Sequence, residues 1–305
     1  MSVNIFDISK SLDLYFEVRK LNTDPSMSKF LPNVYSDYLP RIESLFEQEF
    51  QKRFNGLMIC GNPTVHTIFT AAFPHDEILS QFIEQSQDGD LLFIHHPIRL
   101  ECGDPQGSLG RGFLPINPIY LKKILKKKLS IYSLHAPLDY HPAISTNRAI
   151  AHALSAEVVS EFLPYGNGNA GLIVAVSKIS INRLIDKLKT IFSIPYVDFA
   201  GSKVNNITTI GIVAGGGDDI EYFKQCADRG CQAYLSGEIT SRQQSNWAKA
   251  NMIKVSQYAQ TSKMSLIGVS HAASEHLVMK SLIPEWIKKN FSVRVLPITQ
   301  NRWWV

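Results

Sequence analysis

Short apolar runs recur along the chain from residue 56 onward, each separated from the next by a longer amphipathic segment, and this alternation limits the possible folds more than any other feature. The runs fall at 56–60, 91–94, 130–134, 171–176, 207–213, 233–235 and 265–269, with segments of helical period at 76–87, 118–128, 145–154, 180–192, 220–230, 241–250 and 274–290. Runs this short, bounded by turn residues and alternating with helical patterns, predict strands and helices of an α/β fold. Residues 1–55 read differently. Ile5, Phe6, Ile8, Leu12, Tyr15 and Phe16 form an apolar stripe, Pro25 and Pro32 predict a break, and a second helix is expected over 40–54. With 305 residues the chain has room for two sheet-containing halves. The stretch 163–171, with Pro164, Gly166, Gly168 and Gly171, is the candidate junction, giving expected domains of 37–165 and 166–305.

Several function classes recede on composition. The apolar stretches at 171–176 and 207–214 are far shorter than the roughly 20 residues that cross a bilayer. Asp7 and Asp13, with no basic segment leading into an apolar run, argue against a secretory leader, so a cytoplasmic location with no membrane partner is expected. The four cysteines contain no C-x2-C pair and read as buried thiols. A net charge of +4 is modest for a nucleic-acid binder. The basic run from Lys122 to Lys128 reads as a solvated helix face, with Leu121, Ile124 and Leu125 turned inward.

Three of the predicted strands end on histidine. His95 and His96 follow Leu91–Ile94, His135 follows 130–134 with Asp139 four residues on, and His271 follows 265–269 with Glu275 at i+4. Strand ends are where α/β proteins place their sites. An i, i+4 pair stacks on one helix face, so an imidazole and a carboxylate there can converge on one ion. Taken singly, each motif has a plain structural alternative: a packed imidazole, an Asp cap, a helix-surface hydrogen bond. Together, four imidazoles and two carboxylates without thiolate suit divalent Zn, Mn, Fe, Co or Ni, and do not suit the all-oxygen shell of Ca. Gly215, Gly216 and Gly217, between a strand and a helix, read either as an anion-binding turn or as a tight turn followed by an Asp cap. Glu238, at another strand end, reads as a catalytic proton carrier, as an orienter of the metal ligands, or as an ordinary charge at a helix N-terminus.

From about residue 55 to 288 the sequence resembles the Nif-three-like dinuclear metal proteins, whose bacterial members carry the label GTP cyclohydrolase I type-two homologue. The resemblance rests on Asn55-Gly56-Leu57, Leu92-Phe93-Ile94-His95-His96, Tyr132-x2-His135-x-Pro137-Leu138-Asp139 with Asn147, Ser236-Gly237-Glu238, and His271-x2-Ser274-Glu275. It implies that His95, His96, His135, Asp139, His271 and Glu275 hold two divalent ions bridged by a carboxylate and a water. It also implies two similar α/β domains around a metal-binding cleft, and a ring-shaped homohexamer. Ser236 stands where the family usually has Thr, Arg242-Gln243 stand in a predicted helix where relatives often have His, and the family's large middle insertion is absent. Residues 1–36 read as an added N-terminal helical segment. The expected activity is metal-dependent hydrolysis of a nucleotide-like or phosphorylated small molecule, the alternative a non-catalytic metal-binding or regulatory assembly. Nucleic-acid binding ranks last.

Overall fold

The computed structural model of the chain describes residues 2–36 and 45–304. Two sheets form its centre. The first runs in the order Arg294–Pro297, Thr67–Ala71, Leu91–Ile94, Ser130–Ser133, Gly56–Ile59, parallel except for the last strand. The second runs Asp198–Gly201, Ser265–Gly268, Ala233–Glu238, Ile207–Gly216, Gly168–Ile179, Glu157–Tyr165; its middle three strands are parallel and its flanks antiparallel. Leu91–Ile94 is buried on both faces, which is why it reads as a continuous apolar run. Among the described residues, no helix is long and apolar enough to cross a membrane.

The strands that the apolar pattern does not reveal have identifiable reasons. Glu157–Tyr165, Asp198–Gly201 and Arg294–Pro297 lie at sheet edges and expose much of their length, so no apolar run marks them. Thr67–Ala71 is fully buried, but Thr67 and Thr70 interrupt its apolar character. Burial of Thr70 is tolerated because its hydroxyl donates to the Met279 carbonyl at 2.6 Å.

Four expectations are corrected. The 163–171 stretch is no junction: it forms the tip of the antiparallel hairpin that joins Glu157–Tyr165 to Gly168–Ile179 inside the second sheet, and the chain passes between sheets after the helix Thr146–Leu154. Pro32 does not break the N-terminal segment but sits inside the helix Met27–Val34, near its end, where the missing donor forfeits a single bond. The helix expected at 241–250 begins at Asn246 and continues to Thr261, leaving Arg242 and Gln243 in a loop. The helix expected at 274–290 starts earlier and is split at Ser281 into His271–Lys280 and Leu282–Asn290, because Pro284 cannot donate back into an unbroken helix. Of the helix expected at 40–54, residues 40–44 lie outside the described residues, and Gln48–Arg53 is helical.

The helix His271–Lys280 ties the two sheets together. It packs on Thr146–Leu154, on Ile207–Gly216 and Ala233–Glu238 of the second sheet, and on Thr67–Ala71 of the first. Residues His271 to Met279 are all buried, so this helix has no solvent face to make it amphipathic. Its approach depends on Gly237, where an added Cβ would lie 2.6 Å from the Gly215 carbonyl oxygen, 2.6 Å from Ser274 Oγ and 2.8 Å from His271 Cα. Gly237→Ala must push helix and strand apart, and we expect it to cost roughly 1–3 kcal/mol in chemical denaturation; an unchanged midpoint would show that the contact yields freely.

Candidate metal centre

The six nominated ligands meet at one place. His95 and His96 leave the end of Leu91–Ile94, His135 the end of Ser130–Ser133, and His271 the end of Ser265–Gly268, so C-terminal strand ends of both sheets supply imidazoles. His95 Nδ1 donates to the Leu134 carbonyl at 2.8 Å, His135 Nδ1 to Asp24 at 3.0 Å, and His271 Nδ1 to Glu238 Oε1 at 2.7 Å. Each of these bonds fixes the ring and turns Nε2 inward. Glu275 stands among the rings: its Oε1 is 3.1 Å from His271 Nε2 and 3.5 Å from His95 Nε2, and its Oε2 is 2.9 Å from His96 Nε2. Asp139 Oδ1 lies 3.4 Å from His95 Nε2 and accepts from Thr146 Oγ1 at 3.3 Å. His96 stacks on Phe73, with centroids 4.1 Å apart.

These residues suit a metal ion on their own evidence. Three overlapping sets, His95-His96-His135, His96-His271-Glu275 and His95-Asp139-Glu275, each present ligand atoms within 4.8 Å of one another. His95 Nε2 is buried with no hydrogen-bond partner among the described residues, a cost that an ion bound by this ring would remove. Burial holds His96 well below its ordinary range, so it is neutral and keeps a lone pair. Burial works against charge on Glu275, yet His271, His96 and His95 hold its pKa well below the usual carboxylate range. Burial likewise opposes protonation of His271, but Glu275 and Glu238 push it up to about 10. A position so favourable to a proton is one that a metal cation competes for.

Residues 35–302 match the family model for Duf34/NIF3, NGG1p interacting factor 3. The chain belongs to this family. A GTP cyclohydrolase 1 type 2 homolog from Haemophilus influenzae is 23% identical over 246 residues, covering 79% of this chain and 87% of that one. Its counterpart from Pyrococcus horikoshii is 26% identical over 249 residues, covering 80% and 88%. Among solved structures, protein ybgI, titled as of unknown function, superposes with a TM-score of 0.68 at 17% identity over 99% of this chain and 100% of its own. Staphylococcus aureus protein SA1388 gives 0.64 at 18% identity over 98% and 97%. These likenesses establish the Duf34/NIF3 fold for the chain.

Two site expectations change on the geometry. Gly215, Gly216 and Gly217 do not form a free anion cradle: the Gly215 amide donates to Ser274 Oγ at 2.9 Å, the Gly217 amide donates to the Glu238 carbonyl at 3.2 Å, and the following helix is capped by Asp219. What the turn provides is proximity. Gly215 has φ +71°, and a Cβ there would lie 2.3 Å from Glu275 Oε1, inside the ligand cluster. Glu238, engaged with His271 Nδ1, has the geometry of an orienter of a ligand instead of a free proton carrier.

The residue that the sequence reading missed is Asp24. It is fully buried, and besides holding His135 it accepts from the amides of Ser26, Met27 and Ala136 and from Asn55 Nδ2. Burial would raise its pKa, but the charge and hydrogen bond of His135, with those amides, hold it well below the ordinary range. The segment 1–36 is thus part of the site, although Asp24 precedes the stretch matched to the Duf34/NIF3 family. Asp24-Pro25-Ser26 ahead of a helix carries only the signal of a cap. We expect Asp24→Asn, which keeps the cap, to weaken metal affinity by about 10- to 100-fold in a competitive chelator titration. Wild-type affinity in this variant would show that the His135 bond is incidental.

Proposed function

We propose that the chain is a hydrolase dependent on two divalent metal ions drawn from Zn, Mn, Fe, Co and Ni. One observation supports this above the alternative of a closed metal scaffold. His96, His135, Asp139, His271 and Glu275 line an open cavity of about 650 Å³, so protein does not surround the cluster on every side. Structural sites are closed by their ligands, whereas catalytic sites keep a position for water and substrate.

The ions would supply a water activated near neutral pH and a Lewis-acid contact to the bond being cut. The side chains do the rest. The two oxygens of Glu275 address different imidazoles, Oε1 toward His271 and His95 and Oε2 toward His96, the disposition that a bridging carboxylate needs. Asp139, near His95 and anchored by Thr146, completes the cluster on the other side. Glu238, Asp24 and the Leu134 carbonyl keep three rings from rotating away. The name of the curated relatives, GTP cyclohydrolase 1 type 2 homolog, agrees with a hydrolytic reaction.

Two measurements test the reading. His271→Ala combined with Glu275→Ala is expected to remove most bound metal by elemental analysis while circular dichroism shows the fold intact; undiminished metal would place the site elsewhere. Glu238→Gln separates the two roles of that residue. As an orienter it should weaken metal binding by about 10- to 100-fold, with turnover restored at saturating metal. A loss of roughly 10²- to 10⁴-fold that persists at full occupancy would instead make it a general acid or base.

A further inference from the structure

The walls of the cavity carry an electrostatic pattern that the metal floor does not explain. Among the described residues that line it there is no Lys and no Arg. Sites that recognise phosphate groups supply such cations, usually in geometries that clamp the oxygens. Here the fixed charges have the opposite sign. Asp139 and Glu275 stand in the cluster, Glu238 and Asp218 beside it in the wall, and Asp24 directly behind His135. Burial and the charge of Glu238 push Asp218 up to about 6, as expected where negative charge is already dense. Two divalent ions would be neutralised by these carboxylates, leaving no surplus positive charge for a phosphate. The glycine turn offers none either, because two of its three amides are engaged internally.

What the walls offer instead is aromatic surface. Phe30, Phe113, Tyr165, Tyr222 and Trp247 all line the cavity. Phe30 and Phe113 pack together with ring centroids 4.7 Å apart. Trp247 is 63% exposed and Phe30 41% exposed, so large apolar rings stand in water around an acidic floor. The remaining polar lining includes neutral donors and acceptors such as Gln243, Ser245 and Ser241, whose hydroxyl has no hydrogen-bond partner among the described residues. A cavity of this size, mostly apolar with a few polar groups, is dimensioned for a small organic molecule.

Building on the assignment of this cavity as the active site, we infer that its substrate is an uncharged planar heteroaromatic compound without phosphate. It stacks on the aromatic wall and presents its hydrolysable bond to the metal floor. The ring gives the aromatic side chains a flat face, its heteroatoms meet the neutral polar groups, and the lack of negative charge suits the carboxylates.

The test uses the full chain reconstituted with metal and titrated by calorimetry with adenosine and with AMP, one ring system in an uncharged and a dianionic form. Metal content is measured after each titration. Adenosine should bind, and AMP should bind roughly tenfold more weakly. Trp247→Ala, a substitution at an exposed position, should weaken adenosine roughly tenfold with metal content unchanged. The inference is overturned if AMP binds as tightly as adenosine or more tightly, if adenosine fails to bind at millimolar concentration, or if Trp247→Ala leaves its affinity unaltered. A chain that takes up no metal yet still prefers adenosine to AMP would sink the hydrolase proposal and leave the ligand class standing.

Discussion

Glu275 places a carboxylate where water scarcely reaches, at 3% exposure, and the surrounding structure is arranged to make that tolerable. An isolated buried charge costs several kcal/mol unless it is paired. Here three imidazoles pair it; two of those rings, His95 and His271, are fixed in turn by Leu134 and Glu238, with Asp24 holding the neighbouring His135. The helix bearing Glu275 can sit between the sheets only because Gly237 and Gly215 let backbone approach it closely. The carboxylate, the glycines and the buried helix are therefore one solution to one problem, and none can be altered alone.

Much of this was legible before the structure. The six candidate ligands stood out because their chemistry is written at short range, in adjacent histidines and in i, i+4 pairs at strand ends. Most of the central parallel strands were legible because burial on both faces leaves an apolar run, Thr67–Ala71 being the exception because two threonines interrupt it. What escaped was non-local. Asp24 acts on His135 across a separation of 111 residues, and its sequence neighbourhood announces only a helix cap, which it also is. Edge strands with exposed residues, Glu157–Tyr165, Asp198–Gly201 and Arg294–Pro297, escaped because such residues need not be apolar, whereas the mostly buried edge strand Gly56–Ile59 did not. In sequence the glycine turn reads either as an anion-binding turn or as a tight turn before an Asp cap, yet what it contributes besides is the absence of a side chain beside Glu275, a fact visible only once that helix is in place.

A loop from the first sheet also helps to complete the cavity over the second. The hairpin of Arg99–Glu101 and Gly112–Leu114 carries Gly110, whose amide donates to the Arg242 carbonyl and whose carbonyl accepts from the Gln244 amide. Asp104, on the same loop, accepts from the Tyr196 hydroxyl at 2.7 Å. Leu100 and Phe113 from this loop thereby face Gln243 and Trp247 around one opening, so the shape of the cavity depends on how the two halves are held together. Arg242, which stands where the family resemblance leads one to expect histidine, is paired with Asp198 at 3.0 Å.

The strand Arg294–Pro297 pairs with Thr67–Ala71, so the first sheet is completed by nearly the last residues described. Pairing between segments so distant in sequence requires closure of a very large loop, which slows folding. On the ribosome, the outer edge of Thr67–Ala71 stays open while the whole second sheet is made, and His95, His96 and His135 are synthesised long before His271 and Glu275. The first half therefore emerges as a set of unmatched candidate ligands beside an unpaired strand, exposed to neighbouring chains until the C-terminal segment arrives.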